Sequence, residues 1–252
     1  MADAETHDQF YLSGAWNFRD VGGLRTADGG TVRAGVLYRS SQLAGLDDAG
    51  RQALTGLGVT DVYDLRGTGE VERAGSDALP AGVALHAAPF DPERDDSAPH
   101  EAPQLDTPER VDDFMTGVYA QFADHNGAHK AIGDIARSIA DSDGAVLVHC
   151  AAGKDRAGWV TATLLRAVGV TDDDIVADYL RSNDAVEPLR QMLSAKYGDH
   201  GTISDAMLGV TEHFYRAGMK TVDERYGGFD AYLAEIGIDS DTLSRLRRRL
   251  LG

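Results

Sequence analysis

The chain has one cysteine, Cys150, in 252 residues. A single thiol cannot form an internal disulfide, and it cannot build a thiolate zinc site alone. The eight histidines fall into no metal-ligand spacing such as H-E-x-x-H, so no metal and no cofactor are expected. No stretch approaches the roughly 20 consecutive apolar residues that a bilayer span requires. The polar, acidic start, residues 1–10, lacks the basic and apolar leader of a secretory signal, which makes residence in the cytoplasm the expectation. Positive charge is scarce too. With 24 Lys and Arg against 41 Asp and Glu the net charge is −17, which argues against nonspecific nucleic-acid binding. Such a molecule repels phosphate on average, so a phosphate site has to be a local basic concavity. Most of the acidic residues serve solubility.

What is present is a strand and helix alternation. Segments rich in β-branched residues predict strands at Val36–Arg39, Val59–Leu65, Val83–Ala87 and Ala145–His149. Helical spacing appears between them, over Asp47–Leu57 and Ala128–Ala140. The alternation predicts an α/β fold with a mainly parallel central sheet flanked by helices, in one domain spanning the chain. Asp91–Glu109 holds four of the seven prolines and seven acidic residues, and it is expected as an exposed loop. After Gly169 the chain reads as nearly all helix. Thr171 is a predicted N-cap, and Ile203, Met207, Val210 and Phe214 fall on one helical face. The basic run Arg247–Arg249 suits the negative end of a last helix and is not read as a binding patch.

The decisive stretch is Ala145–Val168, AVLVHCAAGKDRAGWVTATLLRAV. A predicted buried strand runs into a helix through Cys150-Ala151-Ala152-Gly153-Lys154-Asp155-Arg156. Backbone N–H groups of a turn that enters a helix converge on one concavity, and the helix dipole adds positive potential there. The small residues 151–153 let the backbone close around a phosphate, and Gly153 permits a positive φ. Arg156 offers a planar fork to two phosphate oxygens. The same field favours thiolate over thiol at a cysteine, so Cys150 is the candidate nucleophile and a phospho-cysteine the candidate intermediate. Ala151, Ala152, Gly153, Lys154 and Ala157 are the candidate substrate-binding residues. His149 is read as a structural hydrogen-bonding partner.

The segment HCAAGKDRAG resembles the H-C-x-x-G-K-D-R-T-G signature of a bacterial tyrosine-phosphatase family. Three further blocks, in order, are similar to that family's motifs: NFRDVGGL at 17–24, VLYRSS at 36–41 and YDLR at 63–66. YGGF at 226–229 and the closing helix resemble its C-terminus. The resemblance implies a cysteine-phosphatase α/β sheet, Cys150 as nucleophile, Arg156 as phosphate clamp, and action on phosphotyrosine proteins or peptides with tolerance for other phosphoesters. Lys154 is similar to the extra cation of phosphoinositide phosphatases, which adds phosphoinositides to the candidate substrates. The resemblance allows export without a leader.

Several points stay open at this level. The favoured general acid in the resembled family is the aspartate inside the loop, here Asp155; the alternatives are an acid from the 91–96 stretch, or a helix-dipole partner at 155. Arg19, Asp20, Arg39, Asp64 and Arg66 either support the site floor or are salt-bridged structure. Residues 183–218 are either a helical lid or ordinary packing. The resembled signature has a hydroxyl residue after the arginine, where this chain has Ala157. Losing that hydrogen bond to sulfur is expected to slow phospho-cysteine breakdown. The rival functions are a noncatalytic phosphate-binding module and a sulfur or arsenate transferase.

Overall fold

The computed structural model describes residues 11–90, 107–197 and 205–252. Short strands β1 (Tyr11–Leu12) and β2 (Ala15–Trp16) form a hairpin, followed by β3 (Arg19–Asp20) and β4 (Leu37–Ser40). Then come α1 (Asp48–Gly56), β5 (Val59–Asp64), α2 (Thr68–Ala74) and β6 (Ala84–Ala87). Next are α3 (Pro108–Asp124), α4 (Asn126–Asp141), β7 (Ala145–His149), α5 (Arg156–Ala167) and α6 (Asp172–Leu180). A 3-10 turn, Arg181–Ala185, leads to α7 (Val186–Tyr197), α8 (Asp205–Leu208), α9 (Glu212–Tyr226), α10 (Phe229–Glu235) and α11 (Ser240–Leu251).

The main sheet runs β3-β4-β7-β5-β6, with only the β3–β4 pair antiparallel. Its central strand β7 is buried along its whole length, as the run AVLVH requires for a strand covered on both faces. The pleat sorts its side chains. Val146 and Val148 join the large core under the helices α3, α4 and α5, while Ala145 and Leu147 join a smaller core with Leu54 of α1 and Leu12 and Phe18 of the N-terminal segment. β4 and β5 divide likewise, Leu37 and Tyr63 to the large core, Tyr38 and Val62 to the small one. All four parallel strands end on one edge, where Ser40, Asp64 and His149 stand in register. That edge is where open α/β sheets place their sites.

Helix starts follow local chemistry. Asp47, Thr107, Thr171 and Asp239 each accept the amide three residues on, contacts typically worth about 1 kcal/mol. Arg249 donates to the carbonyls of Ser142, Asp143 and Gly144 just beyond α4, so the basic run at the C-terminus is used within the fold.

Two sequence expectations change. Pro108 and Glu109, assigned to the acidic loop, are the first residues of α3, with Thr107 as its cap; residues 91–106 lie outside the described residues. Met207, Val210 and Phe214 do not share one helix. α8 ends at Leu208 and α9 begins after the extended Thr211, yet all three side chains are buried; Ile203 lies outside the described residues. Strand β6 is mostly exposed because it forms the sheet edge.

Candidate active site

The turn Cys150–Asp155 leaves the central strand at that edge and enters α5 at Arg156. Four successive carbonyls of it, from Ala151 to Lys154, are held from outside. Ala151 O accepts from the amide of Gln42, Ala152 O from Asn17 Nδ2, and Gly153 O and Lys154 O from Arg39 Nη2. In a planar trans peptide the C=O and the following N–H point in opposite directions. Each N–H of Ala152, Gly153, Lys154 and Asp155 is therefore turned away from the group that grips the carbonyl before it, which leaves these amides available to an anion. Gly153 makes this possible. It has φ +73°, and a Cβ there would lie 2.4 Å from Ser40 O, so only glycine fits.

The scaffold that grips the turn is itself ionic and buried. Arg39 Nη1 reaches Asp178 Oδ2 at 3.0 Å, and Arg19 Nε reaches Asp178 Oδ1 at 2.7 Å. Burial opposes the charge of Asp178, but the two guanidinium groups outweigh it and hold the carboxyl below its usual range. Burial and the neighbouring Arg39 lower Arg19 to about 10. Arg19 also donates to Asn17 Oδ1 at 2.5 Å, which sets the amide that holds Ala152 O. Asn17 takes φ +51° to do so, a conformation asparagine tolerates better than most residues.

Arg156 is 1% exposed. Its Nη1 and Nη2 meet Glu70 Oε2 and Oε1 at 2.5 and 2.7 Å, and Nη1 also reaches Leu65 O at 3.2 Å. Glu70 thus fixes the plane of the fork, and its Oε2 also accepts the amide of Gly67 at the start of α2. Cys150 is 2% exposed at the base of the turn, and Ala157 is fully buried.

Asp155 precedes α5 but makes no side-chain cap to it. Its carboxylate instead accepts from Tyr119 Oη at 3.1 Å and lies 3.0 Å from Lys154 Nζ. Tyr179 Oη donates to Tyr119 Oη at 2.6 Å. Burial first, and the Asp155 charge besides, push both phenols well above their ordinary range, so both stay protonated donors. Lys154 Nζ donates to Gly209 O as well. Asn183 ties the start of the 183–218 stretch to Val210, giving to Val210 O at 3.0 Å and accepting Val210 N at 2.7 Å. Between these two residues Leu189 and Leu208 pack on Ala152. Of the 183–218 stretch, the part from Glu212 onward is α9, packed on α3.

The remaining predicted residues meet behind the turn. Arg66 Nη2 bridges Asp64 Oδ2 at 2.8 Å and Asp77 Oδ1 at 2.9 Å, and His149 Nε2 lies 2.7 Å from Asp77 Oδ2. Asp64, Asp77 and His149 offer donor atoms within 4.8 Å of one another, with the Arg66 guanidinium supplying positive charge to both carboxylates. The structure therefore brings together Cys150, Asp155, Arg156, Arg39, Asp64, Arg66 and His149. Arg39, Asp64 and Arg66 act within ion pairs that hold the turn and the strand ends. Sequence reading missed Glu70, Asp77, Tyr119 and Asp178. Only Glu70 carried a usable signal, an acid at the third position of a helix opening after Gly67.

A turn built this way belongs to the cysteine-phosphatase class of α/β proteins. Comparison with known sequences narrows that class: the chain belongs to the tyrosine phosphatase family, whose profile matches residues 10–252. It is 41% identical to the triple specificity protein phosphatase PtpB of Mycobacterium tuberculosis, over 96% of this chain and 98% of that one. A putative tyrosine-protein phosphatase of Cupriavidus necator is 34% identical, covering 87% and 80%, and a tyrosine-protein phosphatase of Nostoc commune 31%, covering 87% and 75%. The chain is a tyrosine phosphatase. Among the described residues no helix is long and apolar enough to cross a membrane.

Proposed function

We propose that the chain hydrolyses phosphotyrosine and related aryl phosphates through a phospho-cysteine at Cys150. The observation that carries this reading is the outward grip on four successive loop carbonyls above the cysteine. Cys150 Sγ, as thiolate, attacks phosphorus; the S–P bond forms as the P–O bond to the phenol breaks. Asp155 gives its proton to the departing oxygen. Water then attacks phosphorus and gives a proton to Asp155, the S–P bond breaks, and inorganic phosphate leaves. Loop amides and Arg156 hold the charge on the equatorial oxygens in both steps. To reach a leaving oxygen the Asp155 carboxyl has to turn from its contact with Lys154 Nζ at 3.0 Å. The rival acids at 91–96 lie outside the described residues.

Substrate breadth is a reading from the relatives; the name of the mycobacterial protein states three specificities. A phosphoinositide role for Lys154 would require its ammonium to leave both Asp155 and Gly209 O, so phosphotyrosine is the favoured substrate. Of the 183–218 stretch, the described residues before α9 are read as a lid, since Leu189 and Leu208 pack on Ala152, within one phosphatase domain. The test is phosphate release from an aryl phosphate series. Cys150→Ser should abolish it. Asp155→Asn should slow phosphotyrosine strongly and p-nitrophenyl phosphate, with its better leaving group, much less. Activity surviving in Cys150→Ser would refute the nucleophile, and an Asp155→Asn enzyme with wild-type rates on both would remove that residue from the mechanism.

A further inference from the structure

Asp77 is a carboxylate that the mechanism above does not use, yet its side chain is completely covered. Three elements converge on it. His149 Nε2 lies 2.7 Å from Oδ2, Arg66 Nη2 donates to Oδ1 at 2.9 Å, and the Leu43 amide donates to Oδ1 at 3.1 Å. Each contact leads to the nucleophile turn. Leu43 follows Gln42, whose amide holds Ala151 O. Arg66 links Asp77 to Asp64 at the end of β5. His149 immediately precedes Cys150, and its other ring nitrogen, Nδ1, lies 3.3 Å from Cys150 O.

Hydrogen-bond capacity makes the His149 contact informative. A carbonyl oxygen accepts and cannot donate, and the same holds for a carboxylate. Burial raises the Asp77 carboxyl, but the hydrogen bond and charge of His149 and the charge of Arg66 outweigh it and keep the group below its ordinary range. His149 can satisfy both neighbours only with an N–H at each end of the ring. The charged groups facing that ring are Asp77, Asp64, whose Oδ1 is 3.8 Å from Nε2, and Arg66 beyond them.

We propose that Asp77 is a positioning residue for the nucleophile: it holds His149 with both ring nitrogens donating, one to Asp77 and one to the Cys150 carbonyl, so that a fixed positive charge sits beside the thiolate. This rests on Cys150 being the nucleophile. Asp77→Asn separates charge from shape. The asparagine amide can donate to Nε2, which then accepts, while Nδ1–H still reaches Cys150 O. The turn is kept and the charge is lost.

Two measurements decide the matter, and both are independent of turnover. Long-range proton–nitrogen spectra of the wild-type protein at pH 7, with His149 assigned through a His149→Asn variant, should show both ring nitrogens protonated. Alkylation of Cys150 by iodoacetamide at pH 6 should be about tenfold slower in Asp77→Asn than in wild type, because an adjacent positive charge favours the thiolate, and the two rates should converge near pH 9. A merely structural carboxylate would lower the melting temperature without moving this profile. A wild-type ring with one bare nitrogen overturns the proposal, as does an unchanged alkylation profile in a folded Asp77→Asn protein. If that variant does not fold, the wild-type spectrum decides alone. Failure of the phosphatase mechanism would show separately, as turnover that survives Cys150→Ser.

Discussion

Replacing Glu70 by glutamine tests how Arg156 is aimed. The carboxylate makes three contacts, Oε2 accepting from Gly67 N at 2.9 Å and Arg156 Nη1 at 2.5 Å, and Oε1 from Arg156 Nη2 at 2.7 Å. Glutamine keeps the shape but has one oxygen. Placed at the Oε2 position it preserves two contacts and sets its NH2 against Nη2, donor to donor. One charge-assisted hydrogen bond is lost, typically about 1.5–3 kcal/mol. At about 1.4 kcal/mol per tenfold, kcat/KM should fall roughly ten- to hundredfold. The loss should be similar for phosphotyrosine and p-nitrophenyl phosphate, because Arg156 contacts the phosphoryl group common to both. Urea unfolding should show a comparable loss of stability. Burial opposes the Glu70 charge, but Arg156 outweighs it and the carboxyl titrates below its ordinary range. Its stabilising effect is therefore complete above that range and lost as pH falls through the lowered value, so the stability gap between wild type and variant should close in acid. A folded variant with wild-type stability at pH 7 and kcat/KM within about twofold would refute the claim that Glu70 aims the fork.

Two further outcomes follow from the turn and its cover. Ala157 provides no hydroxyl to the sulfur, so rapid-quench kinetics should show a product burst, and Ala157→Thr should remove the burst and raise steady-state turnover; a variant with both unchanged would dismiss slow breakdown. Asn183→Ala cuts both hydrogen bonds that tie the start of the 183–218 stretch to Val210, so limited proteolysis there should speed up and a phosphate analogue should slow it. Identical cleavage with and without the analogue would mean the segment is packing and not a lid.

The sequence disclosed the turn because its constraints are local. A β-branched run, small residues, a glycine and a helical repeat lie next to one another in Ala145–Val168, so the strand, the positive φ at Gly153 and the arginine at the helix start could each be derived. What holds the turn was hidden because its partners are remote. Asp178 meets Arg19 and Arg39 from 159 and 139 residues away, and Glu70 meets Arg156 across 86. In the sequence each is one acid among 41. Arg39, Asp64 and Arg66 were visible as charges beside apolar strands, but a lone charge does not reveal its partner. The break between α8 and α9 escaped because buried residues at helical spacing can also come from two segments packed on the same core.

The expectation of a locally basic concavity needs a sharper form. Arg19, Arg39, Arg66, Lys154 and Arg156 are all buried around the turn, but they face Asp64, Glu70, Asp77, Asp155 and Asp178. Five cations meet five carboxylates, and His149 adds the single surplus charge when both its nitrogens donate. The attraction for a dianion then comes mainly from the turned amides and the α5 dipole, fields that act at short range. At long range the approaching substrate meets a chain of net charge −17. Salt should therefore help capture. Screening shortens to about 8 Å at physiological ionic strength, which weakens the repulsion at a distance and leaves the buried contacts nearly intact. For an acidic phosphotyrosine peptide, kcat/KM should rise as sodium chloride is raised from low to physiological levels, and more so than for a neutral one. A steep fall for both peptides would mean that unpaired cations, not amides, capture the phosphate.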